Sequence, residues 1–100
     1  MSATTTSTTL VVDPELTIYQ VAALRPIWLD AYAAGAHRVD LSRVQEMDSA
    51  GLQLIVALAR LAERDGQPLE FLDASAPVRE CCALLGVQGL LAPATGETHA

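Results

Sequence analysis

Nine residues, Val44-Gln45-Glu46-Met47-Asp48-Ser49-Ala50-Gly51-Leu52, connect a short apolar run to the longest helical pattern in the chain. An Asp-Ser pair before a periodic apolar run predicts a helix start, because either side-chain oxygen can accept from the free N–H groups of the first turn. Gly51 lies early in that helix, where glycine costs about 1 kcal/mol relative to alanine. We therefore expect either that the backbone needs room at this position or that something approaches it closely. Ser49 is expected on a strand-to-helix turn, near the positive end of the helix dipole.

The helix that follows is predicted from Ala50 to Arg64 and carries more apolar residues than one packed side requires. Its polar stripe consists of Gln53, Arg60 and Arg64, with Ala57 between them. Its apolar residues are Leu52, Leu54, Ile55, Val56, Leu58 and Leu61. We therefore expect Leu54 or Val56 to be partly exposed beside Ser49, where an apolar margin would suit a protein partner.

The N-terminal region predicts a tail and then two strands. Residues 1–9 are nearly all serine, threonine and alanine, so we expect a flexible tail over residues 1–7. An edge strand is predicted from Thr8 to Val12. The run Asp13-Pro14-Glu15 predicts a turn, and Leu16–Ile18 predicts a return strand that would complete a hairpin.

A helical pattern extends from Tyr19 to Ala34, and Gly35 is its expected stop. Pro26 lies inside the pattern, where it removes one backbone hydrogen bond at a cost of about 3 kcal/mol. Either the helix is bent, or it begins only shortly before the proline; we expect one bent helix. Trp28 and Tyr32, one turn apart, are expected to be half-buried packing residues.

Strands and helices alternate along the rest of the chain. A strand is predicted over His37–Leu41 and another over Leu69–Leu72, with a helix from the N-cap Ser75 to Gly86 and a short turn or strand over Val87–Leu91. This order, ββαβαβα, predicts an α/β fold in which a small mixed β-sheet packs against helices. We expect one domain over residues 8–91 and a C-terminal tail over residues 92–100.

Composition excludes several classes of function. The formal net charge is −6, and all six basic residues are arginine. Such a chain would be repelled by nucleic acid and by anionic membranes, and it has no apolar run of the roughly 20 residues that span a bilayer. Cys81 and Cys82 are adjacent, so they predict buried apolar residues and no disulfide. Without a signal peptide, the expected compartment is the cytoplasm.

The residue types that support catalysis or metal binding are scarce. The two histidines, His37 and His99, have no second ligand at metal-binding spacing. The six glycines form neither a phosphate loop nor a dinucleotide motif. Neither histidine is placed to activate Ser49, and the carboxylates of Glu46 and Asp48 are more typical of caps and solvated charges. We predict a protein without enzyme activity, cofactor or metal.

The central region resembles the signature of STAS domains. The residues that carry the resemblance are His37-Arg38-Val39-Asp40-Leu41, Val44, Met47-Asp48-Ser49-Ala50-Gly51-Leu52 and Ile55. The resemblance extends from about Glu15 to about Val87, and it implies the same ββαβαβα order. STAS domains include the bacterial anti-sigma factor antagonists, in which the serine of the Asp-Ser-x-Gly-Leu core is phosphorylated by a partner kinase. That serine matches Ser49, and the second serine of the common Asp-Ser-Ser-Gly form is Ala50 here.

The resemblance implies a binding module that is switched at Ser49. Its partner would be an anti-sigma factor or a related serine kinase of the ATPase-kinase type, and ATP would be the cofactor of that kinase. The predicted partner-binding residues are Glu46, Asp48, Ser49, Ala50, Gly51, Gln53 and Leu54. Two alternatives stay open: an accessory subunit of a membrane transporter, such as a phospholipid-import ATPase, and a component of a chemotaxis signalling cluster. The sequence does not indicate whether the protein is a monomer or a dimer.

Overall fold

The computed structural model describes residues 9–91, which form a small α/β domain with three α-helices. The strands are β1 (Thr9–Val11), β2 (Glu15–Leu16), β3 (Arg38–Asp40), β4 (Glu46–Met47) and β5 (Glu70–Leu72). The helices are α1 (Ile18–Ala33), α2 (Ser49–Arg64) and α3 (Ala76–Leu84), followed by a 3₁₀ helix at Gln88–Leu91. The predicted tails over residues 1–7 and 92–100, the predicted strand start at Thr8 and His99 all lie outside the described residues.

Two small parallel sheets support the domain. The larger has the order β1-β3-β5, so that β3 is central and β1 lies at an edge, as predicted. Its register places Leu10, Val39 and Phe71 side by side. The smaller sheet pairs β2 with β4, also in parallel. Helices that connect parallel strands pack on the sheet faces, and the predicted α/β class is confirmed.

The predicted hairpin between the first two strands is wrong. Leu16 pairs with Met47 in β4, and β2 has no pairing with β1 in the described sheets. The carbonyl oxygen of Pro14 accepts from the backbone N–H groups of Gln45 and Glu46, at 2.7 and 3.1 Å. The segment predicted as a reversing turn is therefore bonded to the residues before β4. It leads the chain into the second sheet and not back along β1. The order is therefore ββαββαβα: the predicted order with β4 added.

Helix α1 is a single helix that contains Pro26, as predicted. It begins at a capping box: Thr17 Oγ1 accepts from the N–H of Tyr19 at 3.3 Å, and Gln20 Oε1 accepts from the N–H of Thr17 at 3.0 Å. Trp28 is only 2% exposed, so the expectation of a half-buried side chain is wrong for that residue. Tyr32 is half-buried as expected.

The core lies between the sheets and the inner faces of the helices. Its largest fully buried side chains belong to Trp28, Leu16, Leu41, Ile55, Val12, Val39, Val44, Val78 and Cys82. Leu52, Ile55 and Val39 are buried in this core, and Phe71 packs against them as a partly buried residue. Leu54 and Val56 are partly exposed, as expected from the breadth of the apolar set. This packing fixes α2, and with it the turn that carries Ser49.

Candidate functional site

The turn between β4 and α2 is held by the carboxylate of Asp48. As the N-cap of α2, its Oδ1 accepts from the backbone N–H of Gly51 at 3.1 Å. Its Oδ2 accepts from the backbone N–H of Ile18, the first residue of α1, at 3.0 Å. One side chain therefore satisfies a free N–H group at the start of each long helix. The hydrogen bond from Ile18 has the largest effect on this carboxylate, followed by the one from Gly51. Both hold the pKa of Asp48 below its usual value.

Gly51 allows α2 to lie against β2. A Cβ atom at this position would overlap the carbonyl oxygen of Leu16, a residue with no exposed surface. That carbonyl also accepts from the backbone N–H of Asp48 at 3.4 Å. The expected close approach to Gly51 is confirmed, and the approaching group is the backbone of Leu16.

Ser49 is the first residue of α2, and its side chain is exposed. It lines a shallow depression whose other walls come from α2 and from Leu85, the residue after α3. The depression is lined by Ser49, Leu52, Gln53, Val56, Ala57, Arg60 and Leu85. Ser49 lies at the positive end of the dipole of α2.

The other predicted partner-binding residues divide by exposure. Glu46 and Gln53 are exposed, whereas Asp48, Ala50 and Leu54 are half-buried. Gly51 is buried against Leu16 and has no side chain to offer a partner. Its role is to let the backbone of α2 lie close to β2. A partner-binding role for these residues stays a prediction.

Three exposed apolar residues near Ser49 were not predicted from the sequence. Ile18 and Tyr19 are 58% and 89% exposed, and the N–H of Ile18 is bonded to the Asp48 carboxylate. Leu85 is 52% exposed and lines the depression that contains Ser49. The sequence predicts Ile18 in a strand, so the helical pattern gives no signal for its exposure. For Tyr19, no signal separated an exposed from a buried position, because the apolar residues of α1 are spread around the helix.

The chemistry available beside Ser49 is limited. The Asp48 carboxylate accepts two backbone hydrogen bonds, and its lowered pKa makes it a weak base. Burial raises the pKa of the Cys81 thiol, and the negative charge of Asp48 adds to this effect. A thiol with a raised pKa is a poor nucleophile.

Within residues 9–91, no cluster of three or more histidine, cysteine, aspartate or glutamate side chains has metal-binding geometry. None of the helices within this range is long and apolar enough to cross a membrane.

Comparison with known proteins gives a family and a fold. A family model described as "Mlab, STAS domain" matches residues 1–92. Among solved structures, the chain is similar to that of the anti-sigma factor antagonist SpoIIAA in its unphosphorylated form. The TM-score is 0.65 and the sequence identity 24%, over 88% of this chain and 81% of that chain. No curated protein matches the sequence. The resemblance carried by the central signature is confirmed, and the chain belongs to the STAS domain family.

Proposed function

We propose that this protein is an anti-sigma factor antagonist whose binding to its partner is switched by phosphorylation of Ser49. The partner is an anti-sigma factor or a related serine kinase. The observation that carries the proposal is the position of Ser49: an exposed hydroxyl at the start of α2, on a turn that Asp48 and Gly51 hold in place. The likeness in fold to an anti-sigma factor antagonist supports it.

The surroundings of Ser49 suit a binding surface that one phosphate could disable. Apolar side chains lie on both sides of the turn, Ile18 and Tyr19 at the start of α1 and Leu85 after α3. Exposed apolar side chains grouped in one region of the surface, with polar residues beside them, mark a candidate protein-interaction site. A partner that covers them would also remove Ser49 from water.

A phosphate on Ser49 would act on the interface and leave the fold intact. It adds about −1.5 to −2 charges, which the N-terminus of a helix tolerates in solvent. Glu46 and Asp48 flank the site and would add to the negative potential. A charge that is buried in an interface without a counter-ion costs about 2–5 kcal/mol, or roughly 30-fold to several thousand-fold in affinity. The modified protein would then be released by its partner.

The partner is identified first. Affinity capture from the native cytoplasm, followed by mass spectrometry, is expected to recover a kinase-like ATPase. Recovery of transporter subunits would instead support the accessory-subunit alternative, and recovery of chemotaxis proteins the signalling-cluster alternative.

The switch is tested on the captured partner with Ser49→Asp, Ser49→Ala and the matched control Ser42→Asp. Ser42 is also an exposed serine, but it lies in the loop after β3. We expect Ser49→Asp to bind at least about 30-fold more weakly than wild type, with an unchanged circular dichroism spectrum. Ser49→Ala should bind and resist phosphorylation, and Ser42→Asp should bind normally. Equal affinity of Ser49→Asp and wild type, or a cognate kinase that fails to label Ser49, would refute the switch.

A further inference from the structure

A groove of about 470 Å³ lies between α1 and α2, on the side of α2 that faces α1. Its lining residues are Arg25, Trp28, Leu29, Leu54, Ala57, Leu58, Arg60, Leu61 and Arg64. Trp28 and Leu58 are buried and form an apolar floor, while Leu29, Leu54 and Leu61 are partly open to solvent. All three arginines are exposed. The groove is therefore apolar in its depth and basic at its margins.

The outer surface of α1 is unusually apolar for a surface helix. Seven large apolar side chains are exposed within residues 9–91, and four of them belong to α1: Ile18, Tyr19, Ile27 and Leu29. Exposed apolar side chains mark candidate surfaces for binding another protein. Of these four residues, Leu29 lines the groove.

The charge of the groove is opposite to that of the whole chain. The chain has a net charge of −6 and six arginines, three of which line the groove, and no acidic residue lines it. Within residues 9–91, the one ion pair joins Arg38 to Glu70 and lies elsewhere. The guanidinium groups at the groove are thus available to pair with carboxylates from outside, and guanidinium–carboxylate pairs are strong and directional.

We propose that this groove docks an amphipathic helix of a partner protein, with acidic residues on either side of its apolar stripe. The α2 wall extends from Leu54 to Arg64, about 15 Å at the rise of an α-helix, which matches about three turns of a docked helix. Apolar side chains of that helix would enter between Leu29 and Leu61, and its carboxylates would meet Arg25 on one margin and Arg64 on the other. This is the helix-in-groove mode of recognition.

The groove is distinct from the proposed phosphorylation site. Ser49 and Gln53 line the depression at the start of α2, whereas Arg25 and Arg64 line only the groove. Ala57 and Arg60 line both, so the test leaves them unchanged. Docking at the groove is therefore expected to be indifferent to the charge at position 49.

A displayed library of amphipathic helices tests the proposal. Each member has a fixed leucine stripe about three turns long and randomised flanking positions. Selection against the wild-type protein is expected to enrich aspartate and glutamate at the flanks. Selected helices should bind the Arg25→Glu/Arg64→Glu variant at least about tenfold more weakly. The matched control Arg43→Glu, an exposed arginine in the loop after β3, should bind them like wild type, as should Ser49→Asp. Circular dichroism verifies the fold of each variant.

The remaining outcomes overturn the proposal. These are a failure to select any helix, enrichment of neutral or basic flanks, and binding that is indifferent to the Arg25→Glu/Arg64→Glu change. A loss of binding in Ser49→Asp would assign the helices to the Ser49 surface. A wild-type dimer in sedimentation equilibrium that the double variant lacks would make a second copy of this chain the occupant. Binding of the wild type, but not of the double variant, to phosphatidylglycerol vesicles would make a lipid surface the occupant of the groove.

Discussion

Oδ2 of Asp48 accepts a hydrogen bond from the backbone N–H of Ile18, 30 positions earlier in the chain, at 3.0 Å. The other oxygen of the same carboxylate accepts from Gly51 at 3.1 Å. A single side chain thereby ties the first residue of α1 to the first turn of α2. An N-cap side chain ordinarily accepts from its own helix; Asp48 also accepts from the start of another helix.

Replacement of Asp48 tests this double cap. Asp48→Ala removes both acceptors and should lower the melting temperature clearly, whereas Asp48→Asn keeps one side-chain oxygen and should lower it less. Thermal unfolding, monitored by circular dichroism, ranks the melting temperatures of these variants and the wild type. Asp30→Ala, an exposed aspartate on α1, is the control and should leave the melting temperature nearly unchanged. Equal melting temperatures for Asp48→Ala and wild type would show that the carboxylate does not join the helices in solution.

The lowered pKa of Asp48 makes the stability of the fold depend on pH in a defined direction. A carboxylate with a lower pKa in the folded state stabilises the protein above its unfolded pKa, about 3.9. This stabilisation is lost as the pH falls through the folded pKa. The difference in unfolding free energy between wild type and Asp48→Asn should therefore be larger near pH 7 than at about pH 3. Urea melts at a series of pH values measure it, and a constant difference would contradict the assignment.

Gly51→Ala should destabilise the protein because the new methyl group would overlap the carbonyl oxygen of Leu16. Forcing an atom into a packed site costs about 1–3 kcal/mol, which here outweighs the gain in helix propensity of about 1 kcal/mol. Gly89→Ala is the matched control, since no atom lies within 4 Å of a Cβ at that position. Urea unfolding compares the two, and a Gly51→Ala protein as stable as wild type would mean that α2 does not lie against β2.

Ile55→Ala should cost about 2–5 kcal/mol, because Ile55 is fully buried between α2 and the sheet. The control Leu84→Ala removes a similar side chain that is 85% exposed, and its effect should stay within about 0.5 kcal/mol. Chemical denaturation at neutral pH measures both changes. Similar losses for the two variants would mean that the buried face of α2 has been assigned wrongly.

The start of α2 could be predicted because its chemistry is local. The N-cap Asp48 and the exposed Ser49 follow from the order of residues around them, and the helix begins at Ser49, one residue before the predicted start. The bond from Ile18 to Asp48 could not be predicted in this way, since it depends on how two segments far apart in sequence meet. Gly51 is intermediate: its presence indicated a close approach, but not that Leu16 would make it.

The errors near the N-terminus have a common cause. A proline next to an acidic residue is typical of a turn, yet Pro14 leads the chain into a second sheet by bonding to Gln45 and Glu46. Strands β2 and β4 contain two residues each, too few to show an alternating pattern. The half-buried expectation for Trp28 failed for a related reason, because the amphipathic pattern of α1 is too weak to assign its inner face.

The contact beneath Gly51 also restricts how related sequences can diverge. The nearest obstacle to a side chain there is a backbone oxygen, which every residue type at position 16 would carry, and the Cγ atom of Leu16 lies behind it. No exchange at position 16 can therefore compensate for a change at position 51, and a shift of β2 would break its pairing with β4. In a mutational scan, position 51 should accept glycine alone, whatever residue accompanies it at position 16. Two residues in direct contact would then evolve without any correlation between them.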